Sequence, residues 1–158
     1  MVSKEVEKLL LKVQKPGRYV GGELNEVIKD KKKIDCRFAF CFPDTYEVGM
    51  SHLGMKILYS LMNAVPHIWC ERVFAPWVDM EEEMIKHNIP LYALESGDPV
   101  SDFDFIGFTL QYELSFTNML NMLRLSGVPI KSCDRKELKN IVCLLYTSDA
   151  ADDLTRVD

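Results

Sequence analysis

Two short runs, Phe38-Ala39-Phe40-Cys41-Phe42 and Phe105-Ile106-Gly107-Phe108-Thr109-Leu110, constrain this chain more than any other feature. Neither carries a charge, neither alternates with polar residues, and both are too short for a helix. Such a strand is buried on both faces, which in practice means a parallel sheet covered by helices on either side. Each run is followed by a polar turn and then by helical spacing of apolar residues. After the first, Pro43 and Asp44 stop the strand, and Leu53, Ile57, Leu58 and Leu61 recur at helical intervals with Ser51 placed to cap. After the second, a helix over 115–126 is expected to bury Phe116, Met119, Leu120 and Leu123 and to stop at Gly127, with Pro129 beyond. Residues 69–75, ended by Pro76, read as another strand. The helix after it opens with Asp79 and Glu82 in capping-box spacing and closes with Lys86 and His87, in keeping with the helix dipole. Residues 91–95 suggest a short edge strand before the turn 96–99. The pattern predicts a three-layer α/β fold, Rossmann-like or flavodoxin-like, with a mostly parallel sheet. Its helices fall near 53–63, 80–87 and 116–126. Only Ile141-Val142 hints at a further strand, so the domain reads as cut short before its last strand or strands.

The chain of 158 residues is long enough for one domain with a real core, and its 47% hydrophobic and 27% charged residues exclude the disordered class. No apolar run reaches the roughly 20 residues of a membrane-spanning helix. Lys4, Glu5, Glu7 and Lys8 interrupt any signal-peptide core, so a cytoplasmic location is expected. A net charge of −5 gives no sign of a nucleic-acid partner. The five cysteines, Cys36, Cys41, Cys70, Cys133 and Cys143, include no C-x-x-C pair and read as reduced packing residues.

Residues 1–36 form an amino-terminal extension. A short amphipathic helix over 3–13 is followed by a glycine-containing connector that matches no phosphate-binding motif. Arg18 and Tyr19 of that connector are expected to dock on the domain, and the lysine-rich run 29–33 to be a solvated turn. Residues 37–142 hold the α/β domain. Residues 143–158 break the pattern: back-translated, their first ten resemble a widely used transposon sequencing adapter, and they are expected to be a non-native tail. Its CLLY segment nevertheless extends Ile141-Val142 and is apolar enough to complete a strand, whereas residues after Tyr146 are expected to be mobile.

In open α/β sheets, ligands sit outside the carboxyl ends of the strands where the strand order reverses. That rule points to the segment 44–52 and the segment 111–113. The candidate cofactor-binding residues are therefore Asp44, Tyr46, Glu47, His52, Gln111, Tyr112 and Glu113. Tyr46 is placed to stack on a planar ring and Gln111 to hydrogen-bond its edge, while Glu47 and Glu113 disfavour an anionic ligand. No catalytic residue and no metal ligand is assigned. The row Glu81–Glu83 reads as dipole-complementing charge rather than as paired catalytic carboxylates.

Three stretches, RYVGGE at 18–23, FPDTYEVGMSHLGMKILY at 42–59 and FDFIGFTLQYELSFTNML at 103–120, resemble the amino-terminal region of a large bacterial family of radical S-adenosylmethionine proteins. In that family a cobalamin-binding-like α/β domain precedes a catalytic barrel. The resemblance implies an accessory domain, with cobalamin as its candidate cofactor and the downstream barrel of the same chain as its partner. S-adenosylmethionine and a four-iron four-sulfur cluster, held by C-x-x-x-C-x-x-C, are expected only in that downstream domain, since no cysteines here have that spacing. This fragment alone is expected to catalyse nothing. The corrinoid signature D-x-H-x-x-G is not met: around His52, Met50 stands where Asp belongs and Met55 where Gly belongs. Two further readings stay open, a flavodoxin-like or receiver-like ligand-binding module and a purely structural docking module.

Overall fold

In a computed structural model, residues 3–135 and 139–147 are described. Four parallel strands, β1 (Cys36–Phe42), β2 (Ile68–Phe74), β3 (Phe105–Leu110) and β4 (Ile141–Thr147), form one sheet in the order β2-β1-β3-β4. The helices are α1 (Lys4–Leu10), α2 (Tyr46–Ser51), α3 (Leu53–Ala64), α4 (Val78–His87) and α5 (Ser115–Leu125). β1 and β3 are central, as their uninterrupted apolar sequences require, and the strand order reverses between them. The strand expected from Ile141 does form, and β4 runs across the boundary at 142 into CLLY. Of the residues after Tyr146, expected to be mobile, Thr147 closes β4 and 148–158 lie outside the described residues.

The pleat of β1 sends Ala39 and Cys41 to one face and Phe38, Phe40 and Phe42 to the other. On the first face they join Val73, Ile106, Phe108 and Leu110 beneath α1, α4 and α5. On the second, the three phenylalanines meet Cys70, Phe74, Met55 and Tyr59 beneath α3, with Tyr46 and Met50 of α2 packed at the strand ends. This division follows from right-handed crossovers. The step from β1 to β2 runs one way along the sheet, and the steps to β3 and β4 run the other.

Several local expectations are corrected. Leu53, Ile57, Leu58 and Leu61 of α3 lie outside, and Met55, Tyr59 and the partly buried Met62 form its core face. The helix carries two apolar faces, and the aromatic floor of β1 takes the one with longer side chains. Tyr59 also accepts a hydrogen bond from the Val27 amide at 2.9 Å, so its polar tip is satisfied there. The cap of α3 is His52, not Ser51, which closes α2 instead. α5 is turned so that Met122, Leu123 and Leu125 are buried while Phe116 and Leu120 are exposed. α4 begins at Val78 without a side-chain cap, because the Asp79 carboxylate accepts from Met80 N and from the Gln14 amide of the connector. Residues 91–95 make only one bridge, Tyr92 to Pro99. Lys29 is not solvated: its ammonium donates to the carbonyls of Asn63 and Val65, both at 2.8 Å, satisfying the carboxyl end of α3. Tyr19 is buried, with its hydroxyl accepting from Trp77 N, as a docked connector requires.

Candidate functional site at the carboxyl edge of the sheet

β1 and β3 end side by side, and the polar residues after them meet. Beyond Phe42 the chain turns at Asp44, whose carbonyl accepts from Ala75 N and so ties the end of β1 to the end of β2. The segment expected to be an open loop is instead the short helix α2. Its Gly49 lies against the aromatic floor: a Cβ there would fall 2.2 Å from a ring atom of Phe74 and 3.2 Å from one of Phe42. Glycine therefore lets α2 lie flat across the strand ends.

His52 sits between α2 and α3, its ring centroid 5.3 Å from that of Phe42. Nδ1 accepts from Met55 N at 3.2 Å, which leaves the proton on Nε2 to donate to Gln111 Oε1 at 3.1 Å. Gln111 in turn donates to Thr109 Oγ1 at 2.8 Å. A second clip lies alongside: the Tyr112 hydroxyl donates to Asp44 Oδ2 at 2.8 Å, and this bond to a carboxylate holds the Tyr112 phenol above its ordinary range. Asn118 of α5 donates to the Pro43 carbonyl at 2.9 Å. Asp44, His52, Gln111 and Tyr112 are thus brought together across the β1–β3 boundary.

The other three candidates point elsewhere. Tyr46 packs edge-on against Phe74 and donates to the Glu23 carboxylate, and burial together with that bond pushes its phenol up to about 12. Glu47 pairs with Arg18 at 2.8 Å and Lys15 at 3.3 Å, and the hydrogen bond from Arg18 holds its carboxyl low. Glu113 is exposed on the turn before α5. Tyr46 and Gln111 therefore do not face one common ligand position.

Beneath the edge lie two ion pairs that the sequence reading of residues 69–75 as a strand did not anticipate. Arg72 donates from Nε to Glu95 Oε1 at 2.6 Å, and its amide donates to Glu95 Oε2 at 2.7 Å. Its guanidinium lies 4.5 Å from the Tyr59 ring centroid and reaches Met50 Sδ at 3.4 Å. Arg72 Nη2 has no hydrogen-bond partner among the described residues. The cavity that Arg72 lines with Gly49, Met50, Met55 and Tyr59 is about 10 Å³, room for no more than a water. On the opposite face Arg37 donates to Glu71 at 3.2 Å from Nε and pairs with Asp98 at 2.8 Å. Burial pushes both the Glu71 and the Glu95 carboxyls up, against the pull of their arginines. The signal was present in the Glu71-Arg72 dipeptide, since charges inside a buried strand demand opposite partners.

Both imidazole nitrogens of His52 are engaged within the protein, so cobalt ligation would require breaking the cap of α3 or the bond to Gln111. The residues present do not fit a histidine-ligated corrinoid. Among the described residues no group of three His, Cys, Asp or Glu side chains could hold a metal ion. All five cysteines are free, and burial pushes the Cys41 thiol far up, as befits a packing residue.

Residues 54–145 match the family of radical SAM proteins, N-terminal. The chain belongs to that family. The match spans α3 through most of β4 and includes Gln111, Tyr112 and Glu113 but not Asp44, Tyr46, Glu47 or His52. No curated protein and no solved structure matches the chain. Among the described residues of this radical SAM N-terminal domain, no helix is long and apolar enough to cross a membrane.

Proposed function

We propose that this domain is a non-catalytic accessory module whose carboxyl edge docks on the catalytic domain of a radical SAM protein. One observation carries the reading. Val48, Trp77, Val78, Leu114 and Phe116 are all exposed large apolar residues, and all fall just after the carboxyl ends of β1, β2 and β3. An apolar rim gathered at one edge is the mark of an interaction surface. The polar residues inside that rim spend their hydrogen bonds on each other: His52 on Gln111, and Tyr112 on Asp44. They lock two loops into a fixed shape rather than line an open cleft. The S-adenosylmethionine and the cluster belong to the partner domain in this reading, and the accessory domain supplies a rigid surface beside them.

The test uses the full-length protein with Leu114→Glu and Phe116→Glu together. Both residues are exposed, so the fold of the accessory domain should persist by circular dichroism. Limited proteolysis between the domains should accelerate at least about tenfold, equivalent to roughly 1.4 kcal/mol of docking energy. Unchanged proteolysis would count against docking at this edge. Hydroxocobalamin should leave its visible spectrum unchanged on mixing. A saturable spectral shift that His52→Ala abolishes would replace this reading with a corrinoid-holding one.

A further inference from the structure

The two faces of the sheet are not equally covered. Three helices lie on one face, while on the other α3 lies nearest β2 and the short α2 reaches only the carboxyl ends of β1 and β2. Asn63 of α3 fixes its orientation, donating to the Cys70 carbonyl at 2.9 Å and accepting from the Cys70 amide at 3.1 Å on β2. With the Asn63 flank turned toward β2, helical geometry turns the Leu58–Leu61 flank toward β3 and β4. Leu53, Ile57 and Leu61 are 68%, 50% and 62% exposed, and Lys56 is the only charge in the helix. The neighbouring sheet surface is apolar as well: Phe105 and Cys143 are half-buried and their neighbour Ile141 is 53% exposed.

We infer that the α3 stripe Leu53, Ile57, Leu58 and Leu61, with Phe105 and Ile141, seats an amphipathic helix of the same polypeptide that follows one further strand beyond β4. The inference rests on the reading that this domain is the front part of a longer radical SAM protein. The occupant follows from handedness. The crossovers β2 to β3 and β3 to β4 run in one direction, and both place their helix on the α4–α5 face. A further parallel strand beside β4 would add its crossover helix to that same face. The first element free to return to the α3 face is the helix after that strand. A parallel sheet needs both faces covered, and the α3 face over β3 and β4 is where cover is lacking. The occupant should carry apolar residues at helical spacing and few charges toward α3.

The experiment places a benzophenone photocrosslinker at position 57 of the full-length protein, with positions 58 and 61 as second and third sites. The crosslinked peptides should map to one amphipathic segment between β4 and the catalytic domain. In parallel, the 158-residue chain should enhance anilinonaphthalene sulfonate fluorescence, Ile57→Lys should reduce that enhancement beyond what Leu114→Glu with Phe116→Glu removes, and the full-length protein should show little. Crosslinks into the catalytic domain would overturn the closing helix while leaving the docking of the two domains standing. Crosslinks to a second copy, or none from any of the three positions, would overturn it too. Loss of docking in the Leu114→Glu, Phe116→Glu protein with crosslinking intact would sink the proposed function alone.

Discussion

The α4–α5 face and the α3 face of this sheet solve the same problem in different ways. Each covers β1 and each buries an ion pair. On the α4–α5 face, Arg37 is shared among Glu71, Asp98 and Ser96, and it lies 4.2 Å from the Phe103 ring centroid. On the α3 face, Arg72 is 3% exposed and has Glu95 as its single carboxylate partner. The first pair is a network with alternatives and the second is an isolated contact. The outer surfaces differ in charge: α4 sets Glu82, Lys86 and His87 beside its exposed Val78 and Ile85, whereas on α3 Lys56 is the only charge among exposed leucine and isoleucine.

The sharpest way to break this comparison is to remove one partner of each pair. Glu95→Ala strands a buried guanidinium and should cost about 3–5 kcal/mol in urea unfolding. Glu71→Ala leaves Arg37 with Asp98 and Ser96 and should cost about 1–3 kcal/mol. Replacing Arg72 and Glu95 together by methionine should recover most of the Glu95→Ala loss. Equal costs for the two single variants would show that the network on the α4–α5 face offers no compensation. A smaller loss follows from Gly49→Ala, whose methyl would meet the Phe74 ring. It should cost about 1–3 kcal/mol and displace α2, which near-ultraviolet circular dichroism of Tyr46 and Phe74 would register.

How much of this was legible in the sequence depends on which force decided it. β1 and β3 were plain because an unbroken apolar run too short for a helix fits a strand covered on both faces. The meeting of Asp44 and His52 with Gln111 and Tyr112 followed from the rule for strand ends, which needs only topology. The direction taken by Tyr46 and Glu47 did not, because six residues of the expected loop coil into α2 and turn both side chains toward the connector. The core face of α3 was misread because apolar periodicity fits both of its faces. What separates them is the reach of Met55 and Tyr59 over three phenylalanines, a matter of packing rather than spacing. Glu95, far along the chain from Arg72, could not be chosen as its partner before the fold placed it there. The docked connector was foreseen through Arg18 and Tyr19, but not Lys29, whose carbonyl acceptors on Asn63, Val65 and Ile68 come together only where α3 gives way to β2.

Acid should act selectively on the better-connected face. Burial would raise the Asp98 carboxyl, but hydrogen bonds and charge from Lys31 and Arg37 outweigh it and hold the group below its ordinary range. A carboxyl lowered in the folded state contributes stability that is complete above its unfolded value, about 3.9. That contribution is lost as pH falls through the lower folded value. Asp98→Asn should therefore lower the urea midpoint at neutral pH and flatten its decline below about pH 4. A variant whose acid limb stays parallel to that of the parent would show that Asp98 makes no difference between the folded and unfolded states.

The smallest expected effect is the one that most sharpens the comparison of faces. Ile57 is apolar and lies on a helix, yet half of its surface meets solvent and no core residue depends on it. Lysine keeps the helical propensity of that position and removes an apolar group from water. Ile57→Lys should therefore change the stability of the 158-residue chain by no more than about 0.5 kcal/mol. On the opposite face the equivalent insult, Met84→Lys, places an ammonium where the side chain is 1% exposed and should prevent folding. The contrast between these two lysines measures directly whether the outer stripe of α3 belongs to this domain's own core. A loss of 2 kcal/mol or more from Ile57→Lys, on the order of a buried side chain, would mean that α3 is turned differently and its stripe already has a partner. A neutral result here, combined with a large loss for the same substitution in the full-length protein, would show that the stripe is completed by later residues.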